Sequence, residues 1–109
     1  MKIKLLRVVP SNNKSKKWTA IFLVDGKERR ISFGASGYRD YTLISNKTSK
    51  FYLPKMIDRN VVKASYIRRH EKRENFNDPM TPGSLSRWIL WDKPNFNSAV
   101  RAFKKRFKL

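Results

Sequence analysis

The first half of the chain alternates apolar and polar positions with the two-residue period of β-strands. The clearest strand is Trp18–Val24, in which Trp18, Ala20 and Phe22 lie on one face. Both faces of this strand are apolar from Ala20 onward. The pattern therefore predicts a central strand with both faces covered.

Two weaker strands flank this segment. Lys2–Val9 precedes it, and Lys27–Phe33 follows it after the dipeptide Asp25-Gly26. Asp-Gly favours a type I′ hairpin turn, because both central residues of that turn need a positive φ. The three strands are therefore predicted to form an antiparallel meander.

The segment after the meander predicts a turn and a further strand. Gly34–Gly37 is flexible, and Tyr38–Ser45 is predicted as a fourth strand. The glycines resemble a phosphate-binding loop, but the Gly-Lys-Ser/Thr ending of that motif is missing. A turn that needs positive φ at Gly34 or Gly37 is the favoured interpretation.

The second half of the chain predicts helices. Asp58 is expected to cap a helix from about Arg59 to Glu74. Thr81 followed by Pro82 predicts the start of a second helix, since proline at the first helical position loses no hydrogen bond.

A third helix is predicted to start near Asn95 or Asn97. An apolar stripe runs along it at helical spacing, formed by Phe96, Ala99, Val100, Phe103 and Phe107.

These elements predict a single α+β domain over residues 1–109. The mainly β part is residues 1–57 and the mainly α part is residues 58–109. We expect a small antiparallel sheet of three or four strands, with two or three helices packed on one face.

Charge changes the picture most. The chain has 26 Lys and Arg against 8 Asp and Glu, so its net charge is 26 − 8 = +18. This exceeds the roughly 2 to 8 charges that keep a small domain soluble. Nucleic acid is the expected partner, and an acidic protein of a virion or an anionic membrane surface is the alternative.

The candidate phosphate-contacting residues belong to three basic segments, in the first loop, the middle helix and the last helix. They are Lys14, Lys16, Lys17, Arg68, Arg69, Lys72, Arg73, Arg101, Lys104, Lys105, Arg106 and Lys108.

Composition argues against several other classes. The chain has no cysteine, so disulfides, thiolate zinc sites and cysteine nucleophiles are excluded. We expect no signal peptide, no transmembrane segment, no metal and no cofactor. His70 with Glu71 and Glu74 is the one place that suggests catalysis, and local ion pairs explain these acids more simply.

Four blocks resemble a family of small basic proteins of unknown function that giant and other large double-stranded DNA viruses encode. They are Ser32–Thr42, Ala64–His70, Arg73–Asn75 and Thr81–Trp91, the last with the sequence TPGSLSRWILW. The resemblance implies a viral origin and a place in the virion or the infected cell. It implies no activity, cofactor or catalytic residue.

Three functions are therefore open. The first is a non-enzymatic nucleic-acid binder with little sequence preference, packaged with a viral genome. The second is a minor capsid or cement protein that binds acidic capsid partners or the internal membrane. The third, a small DNA-processing enzyme, depends on the His70 region alone.

Overall fold

The computed structural model describes residues 2–109 and contains a three-stranded antiparallel sheet. Its strands are β1 (Ile3–Pro10), β2 (Lys16–Val24) and β3 (Lys27–Ala35), in the order β1-β2-β3. The predicted meander and the central position of the second strand are confirmed.

The helices follow the sheet in the sequence. They are α1 (Tyr41–Ile44), α2 (Met56–His70), α3 (Pro82–Leu85) and α4 (Phe96–Phe107). A π-helical turn, Ser86–Leu90, continues α3 directly. The predicted α+β fold class is confirmed.

The local turn and capping signals are also confirmed. Asp25 and Gly26 both have positive φ, at 49° and 83°. The Thr81 side chain accepts a hydrogen bond from the backbone N–H of Ser84 at 3.1 Å. Asn95 caps α4 in the same way, through the N–H of Ser98.

The core lies on one face of the sheet. Phe22 and Phe33 from the strands are fully buried and pack in one cluster with Leu85, Ile89 and Phe103 from the helical half. The apolar stripe of α4 belongs to this cluster, as its spacing predicts.

The predicted fourth strand is wrong. Residues 41–44 form the short helix α1, whose N-cap is Asp40. The carboxylate of Asp40 accepts hydrogen bonds from the Leu43 N–H at 3.1 Å and from the Thr42 hydroxyl. This local bonding stabilises a helical turn where the residue pattern alone suggested extended backbone.

The predicted bounds of the middle helix are also wrong. Helix α2 begins at Met56 after Lys55, which makes no side-chain cap, and it ends at His70. Asp58 lies inside the first turn, where its negative charge interacts favourably with the helix dipole.

Candidate nucleic-acid interface

A β-bulge determines which way Arg7 points. The register between β1 and β2 shifts between Leu5 and Arg7: Leu5 pairs with Phe22 and is buried, whereas Arg7 pairs with Ile21 and is exposed. Side chains in a regular strand alternate, so Leu5 and Arg7 would otherwise lie on the same face. The extra residue, Leu6, therefore turns Arg7 away from the core.

We call the face opposite the helices the outer sheet face. The pairing registers place on it three rows of three residues, one from each strand. The rows are Lys4, Leu23 and Glu28; Arg7, Ile21 and Arg30; and Val9, Thr19 and Ser32.

The middle row is basic at both ends. Ile21 is only 1% exposed although it lies outside the core cluster, and its lateral neighbours are Arg7 and Arg30. The aliphatic stems of such arginines cover apolar surface while the guanidinium groups stay in water. With strands about 4.8 Å apart, the two Cα atoms are separated by about 10 Å. The two side chains therefore start from backbone positions on opposite sides of Ile21, and the guanidinium group of Arg30 also forms an exposed ion pair with Glu28.

Hydroxyl groups form the next row. The Thr19 and Ser32 hydroxyls are 2.9 Å apart, and the Ser11 hydroxyl is 3.5 Å from that of Ser32. Thr19 is only 8% exposed, so Ser32 is the more accessible of the two residues. Serine is a common donor to phosphate and sugar oxygens in protein–DNA complexes. The acid of this face, Glu28, accepts a hydrogen bond from Arg30 at 2.9 Å.

The predicted bases of the first loop have different surroundings. Lys14 is exposed in the β1–β2 connection, and Lys16 starts β2 opposite Ala35. Lys17 forms an ion pair with Asp40, with Nζ 2.7 Å from Oδ2, and its side chain is only 15% exposed. The charge of Lys17 is thus neutralised inside the fold.

The predicted bases of α2 lie at its C-terminal end. Arg68 and Arg69 belong to the last turn, and Lys72 and Arg73 follow it, all exposed. Arg69 donates a hydrogen bond to the Ser65 hydroxyl at 3.3 Å.

The predicted bases of α4 differ in their surroundings: most are exposed to solvent, and one contacts an aromatic ring. Arg101, Lys105 and Lys108 are exposed, and Lys104 is half-buried. Arg106 is also exposed, but its guanidinium carbon lies 3.6 Å from the centre of the Trp88 ring.

Trp88 lies at the edge of the helical half. Its indole N–H donates to the Phe76 carbonyl at 2.8 Å, and Arg87 lies against the same ring as Arg106, at 4.1 Å. Burial lowers the pKa of Arg87, and the negative charge of Asp92 opposes part of this effect.

A second feature is a pocket of about 340 Å³ between the end of β3, α2 and the π-helical turn. It brings together Lys17 and Arg69 from the predicted set, with Arg39, His70 and Tyr66. Burial raises the pKa of Tyr66 to about 12, and the negative charge of Glu74 adds to the effect.

The His70 region shows ordinary local contacts. The His70 ring stacks on Tyr66 with 4.2 Å between the ring centres, and its Nδ1 lies 4.0 Å from a carboxylate oxygen of Glu74. Over residues 2–109, no cluster of three or more His, Asp or Glu side chains has a geometry that could hold a metal ion. Among the helices of the same residues, none is long and apolar enough to span a membrane.

Sequence reasoning missed Arg7, Arg30 and Arg39. Arg30 could have been found, because the strand pattern places it on a polar face with Glu28 and Ser32. For Arg7 the face depends on the bulge, which no local pattern indicates.

Residues 6–51 match a family of unknown function (DUF5754). The match covers 46 of 109 residues, less than half of the chain, and includes β2, β3 and α1. The comparisons with curated proteins and with solved structures found no match. The similarity assigns no activity.

Proposed function

We propose that this chain is a non-enzymatic nucleic-acid-binding protein that contacts the phosphate backbone through its outer sheet face. The observation that carries the proposal is the position of Arg7 and Arg30 on the two sides of Ile21, on the face that the core leaves free. Sheets are used by several protein classes to contact DNA grooves.

The electrostatic balance supports a polyanionic partner. A net charge of +18 on 109 residues destabilises the isolated fold by self-repulsion. Binding to nucleic acid relieves this repulsion and releases counterions from the phosphates, which provides most of the free energy of non-specific association.

The chemistry of the outer sheet face favours low sequence preference. Its accessible polar groups are two arginines, a lysine, the Ser32 hydroxyl and one carboxylate that already accepts a bond from Arg30. Arginine, serine and threonine all bind phosphate oxygens, and such contacts carry no sequence information.

A viral setting belongs to this proposal through the resemblance of the four sequence blocks. A basic protein of this size, packaged with a genome or present in the infected cell, neutralises phosphates that would otherwise repel one another.

The arrangement of acids favours binding over catalysis. A metal-dependent nuclease needs several converging carboxylates. Asp40 instead caps α1 and pairs with Lys17, and Glu74 lies beside His70.

The test is a titration of the protein against fluorescent duplex DNA between about 50 and 200 mM salt. We expect the logarithm of affinity to fall linearly with the logarithm of salt concentration, with a slope of about −0.9 for each phosphate contacted. Absence of duplex and single-strand binding at the lowest salt would refute the proposed function.

One observation favours a second candidate, a minor capsid or cement protein that docks on another virion component. Helix α2 exposes three apolar side chains near its start: Met56 is 57% exposed, Ile57 69% and Val61 63%. Under this candidate, Val61→Gln, which keeps the net charge, lowers incorporation into particles and leaves the affinity for duplex DNA unchanged. A loss of duplex affinity in that variant would show that the start of α2 also belongs to the DNA-binding surface, and would contradict a separate role for it.

A further inference from the structure

The pocket between β3, α2 and the π-helical turn has an aromatic wall. Trp91, Tyr66 and His70 form a column of stacked rings, with 4.3 Å between the first two ring centres and 4.2 Å between the last two. Trp91 and Tyr66 are buried, whereas the side chain of His70, at the end of the column, is 33% exposed. Tyr38 also lines the pocket and is 71% exposed.

The opening of the pocket is basic. Arg39 and Arg69 line it and are exposed. Within residues 2–109, neither guanidinium group forms a salt bridge with an acid. Both are therefore available to an anionic ligand.

The acid in the pocket wall does not oppose such a ligand. Asp40 is 2% exposed, and Lys17 neutralises it at 2.7 Å. The remaining interior is contributed largely by apolar and aromatic groups, including Leu90 and Trp91. A pocket with apolar walls and a cationic opening suits a molecule that is aromatic at one end and anionic at the other.

We propose that this pocket binds one unpaired nucleotide, with its base against Tyr38 and His70 and its phosphate at Arg39 and Arg69. The volume of about 340 Å³ falls in the range of small-ligand sites. Proteins bind unpaired bases by stacking them on aromatic rings beside a basic path for the backbone. This inference rests on the proposed function for its ligand class, but it concerns a different surface from the outer sheet face.

The experiment compares a blunt DNA duplex with the same duplex carrying a short single-stranded overhang. We expect the overhang to increase affinity by roughly five- to 140-fold, the range for stacking of one base. Tyr38→Ala should remove this gain and leave the affinity for the blunt duplex within about twofold. Arg69→Ala should also remove the gain, and its effect on the blunt duplex should equal that of Arg68→Ala, which removes the same charge.

Matched variants control for charge and folding. Arg68→Ala removes the same charge from the adjacent exposed position of α2, which does not line the pocket, and should retain the gain. Tyr38→Phe keeps the ring and should also retain it. Far-UV circular dichroism checks that each variant is folded.

Free nucleoside monophosphates provide an independent arm. Their binding, measured by isothermal titration calorimetry, should be lost in Tyr38→Ala and Arg69→Ala and kept in Arg68→Ala. If monophosphates bind in this way but the overhang gives no gain, the pocket is a site for free nucleotides. If the overhang also gives a gain, the pocket is a site for nucleotides of a single strand.

The two proposals fail in different ways. Binding of the blunt duplex with neither an overhang gain nor monophosphate binding overturns the pocket assignment and leaves the outer sheet face intact. Monophosphate binding without any binding of duplex or single strand overturns the proposed function and keeps the pocket.

Discussion

Arg7 and Arg30 lie on either side of Ile21, each directly paired with it across the sheet. They are 30 − 7 = 23 positions apart in the sequence, and the register brings them to the same row. Because the bulge at Leu6 turns Arg7 outward, this row has a guanidinium group at each end. The result is a basic face on the side of the sheet that the helices leave free.

Gly34 is expected to be intolerant of substitution. Its φ is +80°, and a Cβ atom built there lies 2.8 Å from a methyl carbon of Leu90. Gly34→Ala therefore combines backbone strain with a collision in the core. We expect it to lower the free energy of unfolding by about 2 to 3 kcal/mol, measured by urea denaturation.

Gly37→Ala is the matched control. Its φ is +83°, but a Cβ atom there has no neighbour within 4 Å. Only the strain remains, so the cost should be about 1 kcal/mol. Equal costs at the two glycines would show that packing against Leu90 is unimportant.

The ion pair between Lys17 and Asp40 is expected to be essential for stability. Both side chains are largely buried, and Asp40 also caps α1. Asp40→Ala leaves the Lys17 ammonium without its partner and should lower the free energy of unfolding by about 3 to 5 kcal/mol.

Glu28→Ala provides the comparison for that loss. The Glu28–Arg30 pair has the same kind of contact, at 2.9 Å, but both side chains are about half exposed. Exposed pairs contribute about 0 to 1 kcal/mol. The loss in the free energy of unfolding, measured by chemical denaturation, should therefore be much larger for Asp40→Ala than for Glu28→Ala. Similar losses would contradict a stabilising role for the buried ion pair of Lys17.

Tyr66 should make the fold sensitive to alkaline pH. Burial raises its pKa to about 12 from the usual value near 10. Between these values the folded chain retains a proton that the unfolded chain has lost, so the stability falls as pH rises. The loss should reach about 2 to 3 kcal/mol above pH 12.

Absorbance titration of tyrosinate measures this pKa directly. Tyr66 should ionise near pH 12, and Tyr66→Phe should remove that step and reduce the pH dependence of unfolding. A titration curve that Tyr66→Phe leaves unchanged near pH 12 would contradict the burial of the Tyr66 hydroxyl.

Local signals in the sequence were sufficient for much of the fold. Asp25-Gly26 specified the hairpin, because only a few residues tolerate positive φ at both positions. Thr81-Pro82 specified the start of α3, because the cap and the proline act within one turn. Such signals depend on neighbours in the chain, which the sequence displays.

Contacts between distant residues could not be predicted. The segment Tyr38–Ser45 alternates like a strand but forms a helical turn that Asp40 caps. The contact that holds Asp40 in place comes from Lys17, 23 positions earlier, and a local pattern does not show it. The face of Arg7 depends on a register shift. The pocket needs β3, α2 and the π-helical turn together, so Arg39 and Arg69 were not recognisable as neighbours.

The comparison of Arg30→Ala with Arg29→Ala tests the central claim most directly. Both arginines are exposed and adjacent on β3, but Arg29 pairs with Phe22 on the core side of the sheet, whereas Arg30 belongs to the outer sheet face. We expect Arg30→Ala to weaken duplex DNA binding and reduce the salt slope by about 1, while Arg29→Ala changes both far less. Equal effects of the two variants would show that net charge alone drives binding and would contradict the outer sheet face as the interface.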